Sequence, residues 1–166
     1  MVIKKIKKNK GFVLLYAVML SSILLAITVG VTNISLKEIQ FGTSAKDTND
    51  AFYSADIGAE CALYYDKTDP ANNAFTGTQT QMNCAGSNIT LNILSSLSWN
   101  FVIPKLSSGG QGCAIVTVDK SDSRSCASST CVTSKGYNNG SDISSPPDWA
   151  CNPSSNAVER QLELSY

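Results

Sequence analysis

Six cysteines offer the chain its clearest redox or metal-binding chemistry: Cys61, Cys84, Cys113, Cys126, Cys131 and Cys151. Their even number, and their position after an apolar N-terminal segment, predict disulfide bonds in an oxidising compartment rather than free thiols. A cysteine-only zinc site is disfavoured, because the pair at 126 and 131 is closely spaced but no second close pair exists.

The cysteine spacing alone leaves the connectivity open, since six cysteines can pair in many ways. The simplest set of pairs is Cys126 with Cys131, Cys61 with Cys84, and Cys113 with Cys151. The first would close a hairpin, the second would tie a helix end to the next loop, and the third would clip the segment before the last strand. In the chain-entropy model each bond would stabilise the fold by about 2–4 kcal/mol.

The remaining polar residues form no catalytic constellation. The chain has no histidine, which removes the commonest general base and the commonest zinc ligand. The glycine-rich stretch 109–112 lacks the Lys-Ser/Thr that follows in a phosphate-binding loop. Asp119, Asp122 and Asp142 are expected in loops as solvated acids. Asn138, Asn139 and Asp142 are calcium candidates, but they lack the twelve-residue spacing of an EF-hand. The sequence therefore predicts a protein that is not an enzyme and that uses no cofactor, metal or small-molecule substrate.

Basic residues are concentrated at the N-terminus, in a leader over residues 1–11 that holds Lys4, Lys5, Lys7, Lys8 and Lys10. The whole chain has 13 basic and 13 acidic residues. Without the leader, eight basic residues would face 13 acidic ones, a net charge of −5. A domain with a net negative charge lacks the positive surface that binds nucleic acid, so no nucleic-acid partner is expected.

The leader is followed by a segment without charged residues, 12–31. About 20 apolar residues are enough to cross a hydrocarbon core of ~30 Å as a helix, which satisfies its own backbone groups. Flanking lysines hold the N-terminus on the cytoplasmic side. We therefore expect a single-pass protein of the cytoplasmic membrane whose remaining chain lies outside the cytoplasm.

Three interpretations of this N-terminus compete. A cleaved secretory signal peptide is disfavoured, because the apolar run is long and no good small-x-small site follows it. An uncut signal anchor satisfies the length and the charge. The third interpretation is cleavage before the apolar run, between Gly11 and Phe12. Glycine suits that position, because the absence of a side chain lets a protease approach the backbone.

The third interpretation also rests on a family resemblance. A short basic leader ending in Lys10-Gly11, then Phe12 and about twenty apolar residues, resembles the type IV pilin and pseudopilin superfamily. Residues 51–60, AFYSADIGAE, resemble a helix signature of minor pilins of the PilX or K-type pseudopilin sort. The resemblance covers residues 1–66. It implies cleavage by a prepilin peptidase, N-methylation of Phe12, and assembly with other pilins or minor pilins.

The chain departs from the family at Tyr16, where most such pilins carry a glutamate. In the family that carboxylate is thought to meet the N-terminal amine of a neighbouring subunit, and such pairing relieves the cost of a buried charge. Tyr16 cannot neutralise an amine. K-type pseudopilins at filament tips also tend to lack the glutamate, which favours a minor or tip subunit. A second departure is Asn33, where many major pilins carry a helix-kinking proline.

The helical pattern is expected to continue beyond the apolar run. We predict a membrane or filament-core helix over 12–32 and an amphipathic half over 33–68. The predicted buried stripe of that half has apolar or small residues at steps of three or four: Phe41, Ala45, Thr48, Phe52, Ala55, Ala59 and Leu63. Small residues at 55, 58, 59 and 62 are expected to allow close approach by a sheet.

The head, residues 69–166, is predicted to be a small antiparallel sheet. Strand patterns occupy 89–93, 97–103, 113–118, 130–137 and 157–166, with a loop over 70–88 and a break at Pro104. A helix followed by strands predicts an α+β fold in which the long N-terminal helix packs on the disulfide-bonded sheet. That architecture is also the pilin fold.

The sequence thus favours one function over two others. The expected protein is a minor, tip or assembly-initiating subunit of a type IV pilus or of a type II-secretion-like pseudopilus, processed by prepilin peptidase. Its location would be the membrane and then the extracytoplasmic filament. The alternative is a membrane-anchored extracellular, disulfide-rich binding or adhesion domain with no filament. A small anchored hydrolase is disfavoured, because no nucleophile motif is present.

Overall fold

The computed structural model describes residues 10–68, 73–76, 79–107, 109–121, 129–142 and 150–166. The chain divides into two compact units, Met1–Thr43 and Ser44–Tyr166. Helix α1, Lys10–Lys67, begins in the first unit and ends in the second. A long N-terminal helix with antiparallel sheets confirms the predicted α+β class.

The part of α1 in the first unit is exposed on every face from residue 12 to residue 43. No charged residue occurs between Gly11 and Leu36. Its hydroxyl side chains bond back to the helix: Ser21 Oγ donates to the Val18 carbonyl oxygen at 2.9 Å, and Thr32 Oγ1 donates to that of Thr28 at 2.8 Å. These bonds satisfy the hydroxyl groups that make them within the helix itself, which suits an apolar environment.

The strands follow α1 in chain order after a short 3-10 turn, Ala74–Thr76. They are β1 (Gln81–Cys84), β2 (Ser87–Thr90), β3 (Asn92–Ser95), β4 (Ser98–Leu106), β5 (Gly112–Asp119), β6 (Cys131–Tyr137), β7 (Ser141–Asp142), β8 (Ala150–Cys151) and β9 (Glu159–Ser165). The described strands form a five-stranded sheet in the order β3-β4-β5-β6-β9 and two hairpin-like pairs, β1-β2 and β7-β8. Every pairing is antiparallel.

Three strand predictions are wrong in detail. The expected loop over 70–88 contains β1 and the start of β2, and the single strand expected at 89–93 is divided between β2 and β3. Pro104 lies inside β4 instead of ending it. The β4–β5 register shifts between Ile103 and Leu106, so a bulge falls where proline, with no N–H to donate, is tolerated.

The buried face of the second half of α1 differs from the predicted stripe. It consists of the small residues Ala51, Ser54, Ala55, Gly58, Ala59 and Ala62. Phe41 is 75% exposed and Phe52 is 44% exposed, so neither belongs to the face that packs on the sheet. The predicted stripe followed steps of three or four residues through Phe41 and Phe52, whereas the buried face follows the small residues that let the helix backbone approach the sheet.

Two glycines show how closely helix α1 and the sheet approach each other. A Cβ atom on Gly58 would lie 2.3 Å from Ser134 Oγ, and one on Gly136 would lie 2.2 Å from the Ala51 carbonyl oxygen. Ser134 Oγ also donates a 2.7 Å hydrogen bond to the Ala55 carbonyl oxygen. The expected packing of small helix residues on a sheet is therefore confirmed at β6.

The core of the second unit lies between this helix face and the sheet. Among its largest fully buried side chains, six alternate along three neighbouring strands: Trp99, Phe101, Ile103, Val116, Val118 and Val132. Phe75 from the short turn packs on two of them, edge-on to Trp99 with ring centroids 5.7 Å apart and stacked on Phe101 at 6.4 Å. Aromatic pairs of this geometry add about 0.5–1.5 kcal/mol each beyond area burial.

Candidate processing and anchoring site

The candidate cleavage bond joins Gly11 to Phe12 near the start of α1. The helix begins at Lys10, and the Phe12 side chain is 76% exposed. Lys4, Lys5, Lys7 and Lys8 lie outside the described residues. The cleavage, the N-methylation of Phe12 and the orienting role of the leader lysines therefore stay predictions.

The segment after this bond carries a continuous apolar surface. Large apolar side chains from Phe12 to Phe41 are exposed around the whole helix. Surfaces of this extent mark contact with a membrane or with other proteins. The segment is long and apolar enough to cross a membrane, a property that signal sequences share. It is a possible anchor by length and composition.

Tyr16 lies on α1 four residues after Phe12 and is exposed on the helix surface. The first turn of α1 has no acidic residue, and the first acidic residue of the chain is Glu38. A terminal amine created at Phe12 would therefore find no carboxylate in its own apolar segment. A phenol can accept or donate a hydrogen bond but carries no charge at neutral pH.

Disulfides hold the second unit together where the pairing was predicted. Cys61 of α1 is bonded to Cys84 at the end of β1, with the Cα atoms 6.0 Å apart. Cys113 of β5 is bonded to Cys151 of β8, with the Cα atoms 5.8 Å apart. Cys131 is also disulfide-bonded, whereas Cys126 lies outside the described residues, so the third predicted pair stays a prediction.

An ion pair connects the end of α1 to the sheet. Lys120 Nζ lies 2.5 Å from Asp66 Oδ1, and the Tyr166 hydroxyl donates to Asp66 Oδ2 at 2.9 Å. The Asp66 side chain is 6% exposed and that of Lys120 is 22% exposed. Burial, and then the hydrogen bond to Asp66, raise the pKa of Tyr166 well above its ordinary value. These groups hold structure and show no catalytic arrangement.

A second polar cluster links β6 to β9. The Tyr137 hydroxyl donates to Glu159 Oε2 at 2.7 Å, and Lys135 Nζ lies 3.3 Å from Glu159 Oε1. Burial and this hydrogen bond raise the pKa of Tyr137 to about 12. The hydrogen bond from Tyr137 is the main reason that the pKa of Glu159 is lowered.

Neither cluster was predictable from the sequence, because the residues that form each cluster are far apart along the chain. Asp66 and Tyr166 are 100 positions apart, and Tyr137 and Glu159 are 22 apart. The available signal was weak: an acidic residue near the helix end and a tyrosine on the inward side of the last strand. Among the described residues, no group of three or more His, Cys, Asp or Glu side chains could hold a metal ion.

Comparisons of the chain with protein-family models, with characterised proteins and with solved structures find no match. The fold and the site define a general class. The protein is an α+β, disulfide-bonded chain whose N-terminal helix has a segment long and apolar enough to cross a membrane.

Proposed function

We propose that the protein is a minor subunit of a type IV pilus or of a type II-secretion-like pseudopilus, cut by a prepilin peptidase between Gly11 and Phe12. One observation carries the proposal: a lysine-rich leader ending in glycine stands directly before an uncharged helix that continues into a folded α+β unit. An ordinary secretion signal would be separated from the folded unit by its cleavage site.

The apolar helix surface supports assembly rather than simple anchoring. A single membrane crossing needs about 20 residues, whereas exposed large apolar side chains continue to Ile39 and Phe41. A helix that leaves the membrane for a filament core would cover this extended surface with other pilin helices. An anchor that stays in the bilayer would leave its last turns uncovered, which is costly in water.

The missing carboxylate supports a minor position. A new amine at Phe12 has no acidic partner in the helix that follows it, and Tyr16 offers only a neutral hydroxyl. A buried unpaired charge is expensive in an apolar environment. A major subunit occurs many times along a filament, so every copy would carry that cost. A subunit at the tip or at initiation occurs once, so the cost would arise only once.

The direct test is the mature N-terminus, measured by intact mass and N-terminal peptide sequencing after co-expression with a prepilin peptidase. Wild-type protein is expected to begin at Phe12 and to be one methyl group heavier where the methyltransferase is present. Gly11→Val should leave the chain starting at Met1, because a branched side chain blocks approach of the protease to the backbone. Gly30→Val, in the same helix with open space around it, is the matched control and should be cut normally.

Other termini would contradict the proposal. A wild-type chain that still starts at Met1, and that is absent from sheared filaments, would identify an anchored extracellular binding domain without a filament. A chain that starts after residue 31 would identify a secreted protein. Recovery of the Phe12 form in sheared filaments at a low ratio to a major pilin is the result expected for a minor subunit.

A further inference from the structure

The second unit contains a polar cavity of about 530 Å³ that the filament proposal does not use. Four separate segments line it: helix α1, the β4–β5 loop, the residues after β6 and the turn before β9. Its side chains are carboxylates and amides, chiefly Asp47, Asp50, Gln111, Asn138, Asn139 and Asn156. The volume is in the range of small-molecule sites, which span roughly 300–1,000 Å³.

Several of these groups have no partner among the residues that the structure describes. Asp47 and Asp50 are half-buried, and their carboxylates make no hydrogen bond or ion pair with the described part of the chain. Both carboxylates keep part of their surface exposed, so water solvates them in the free protein and the hydroxyl groups of a ligand could replace that water. Unpaired acceptors that line a cavity are therefore groups available to a ligand.

Two asparagines supply donors beside these acceptors. Asn138 Oδ1 accepts a 2.8 Å hydrogen bond from the backbone N–H of Val158, and Asn139 Oδ1 accepts a 3.2 Å bond from Ser154 Oγ. These bonds orient both amides, and the amide nitrogens make no bond to any described residue. Each nitrogen therefore keeps two hydrogens to donate.

The loop on the other side of the cavity is held in an unusual conformation. Ser107, which lines the cavity, has a φ of 68°, in the left-handed region that non-glycine residues rarely adopt. A hydrogen bond of 3.1 Å from the Gly110 N–H to the Ser107 carbonyl oxygen closes the turn. Such conformations cost about 1–3 kcal/mol each and are concentrated at ligand sites, where they set a shape in advance.

We propose that this cavity binds a saccharide. Each hydroxyl of a neutral sugar both donates and accepts hydrogen bonds, which matches carboxylate acceptors beside amide donors. Two carboxylates and the single Lys46 ammonium disfavour phosphates and other anions. The same ammonium disfavours calcium, which takes six to eight oxygen ligands, and the amide oxygens of Asn138 and Asn139 already accept hydrogen bonds from within the protein. Among the described residues that line the cavity there is no aromatic ring, so millimolar affinity is expected.

The proposal stands apart from the filament proposal and is tested on the full chain in an amine-oxide detergent, which carries no sugar headgroup. Saturation-transfer NMR would use N-acetylglucosamine, galactose, mannose and lactose as probes. The variant is Asp47→Asn with Asp50→Asn, which keeps the side-chain shapes and removes both charged acceptors. Asp56→Asn is the matched control, since it lies half-buried on the same helix outside the cavity.

Binding of at least one sugar, weakened at least about tenfold in the double variant and unchanged in the control, is the expected result. The proposal is overturned if none of the sugars, at concentrations of tens of millimolar, gives a saturation-transfer signal. It is also overturned if the double variant binds the sugars as well as wild type does. The saccharide proposal would also be overturned, in favour of a cation site, if calcium chloride alone shifted the amide resonances of Asp47 and Asn139. Should the double variant not fold, Gln111→Ala, at an exposed position, repeats the test.

Discussion

Replacing Gly136 by alanine tests the central packing of the second unit. A Cβ atom there would lie 2.2 Å from both the Ala51 carbonyl oxygen and the Ala55 nitrogen, and 2.8 Å from the Ala55 Cα. These are backbone atoms of α1, so no side chain can move aside to make room. The helix itself would have to shift away from β6.

The cost has two parts. Overpacking of a well-packed core costs about 1–3 kcal/mol. A helix that shifts away also weakens the buried bond from Ser134 Oγ to the Ala55 carbonyl oxygen, now 2.7 Å long, for a further ~1 kcal/mol or more. We therefore expect a loss of about 2–4 kcal/mol in the free energy of unfolding. For a domain of this size that corresponds to a fall in melting temperature of roughly 8–20 °C.

The assay is thermal unfolding followed by near-ultraviolet circular dichroism, which reports the packing of Trp99 and its aromatic neighbours. Gly109→Ala is the control, because a Cβ there meets nothing within 4 Å. It should unfold within about 2 °C of wild type. A Gly136→Ala protein that also unfolds within about 2 °C of wild type would refute the close helix–sheet approach.

Two further perturbations test the polar clusters. Asp66→Asn should lower the free energy of unfolding by about 2–3 kcal/mol, because it leaves a largely buried ammonium without its counter-charge; urea unfolding measures this, and a loss equal to that of Asp56→Asn would refute the role of the ion pair. The raised pKa of Tyr137, about 12, means that its contribution to stability is complete below pH 10 and is lost as the pH rises through 12. Tyr137→Phe should flatten that part of the pH profile, although the raised pKa of Tyr166 keeps some dependence. The lowered pKa of Glu159 acts in the opposite direction, since its contribution is present above its ordinary pKa of 4.5 and is lost on acidification. An alkaline profile identical in Tyr137→Phe and wild type would exclude the hydroxyl as its source.

Local patterns predicted most of the secondary structure. The strands at β4, β5, β6 and β9 were recognisable because alternating apolar residues need only neighbouring positions to be visible. β1 was missed since its sequence, QMNC, is half polar, although Met82 and Cys84 do alternate inward. Pro104 was misjudged because a proline normally ends a strand, and only the pairing with β5 shows that a bulge accommodates it.

Contacts between distant residues were not predictable in the same way. Asp47 and Asn138 line one cavity although about ninety positions separate them, and neither stands in a motif. Two of the suggested disulfide pairs, Cys61 with Cys84 and Cys113 with Cys151, are present in the structure, although the spacing of the cysteines alone had left the connectivity open. Each disulfide also constrains the distance between two backbone segments, whereas the side chains that line a cavity place no such constraint on the backbone.

The sequence by itself determined the character of the N-terminal segment. A helix without charge from Gly11 to Leu36 is apolar on every face, so no tertiary information is needed to know that it avoids water. The small residues at 55, 58, 59 and 62 already predicted where a sheet could approach the later helix, but only the tertiary structure showed that Phe41 and Phe52 lie off that face. There Phe52 had the stronger hydrophobicity, but Ala51, Ala55 and Gly58 are the residues that let the backbone reach the sheet. Hydrophobicity is a property of one residue, whereas close approach depends on both surfaces that meet.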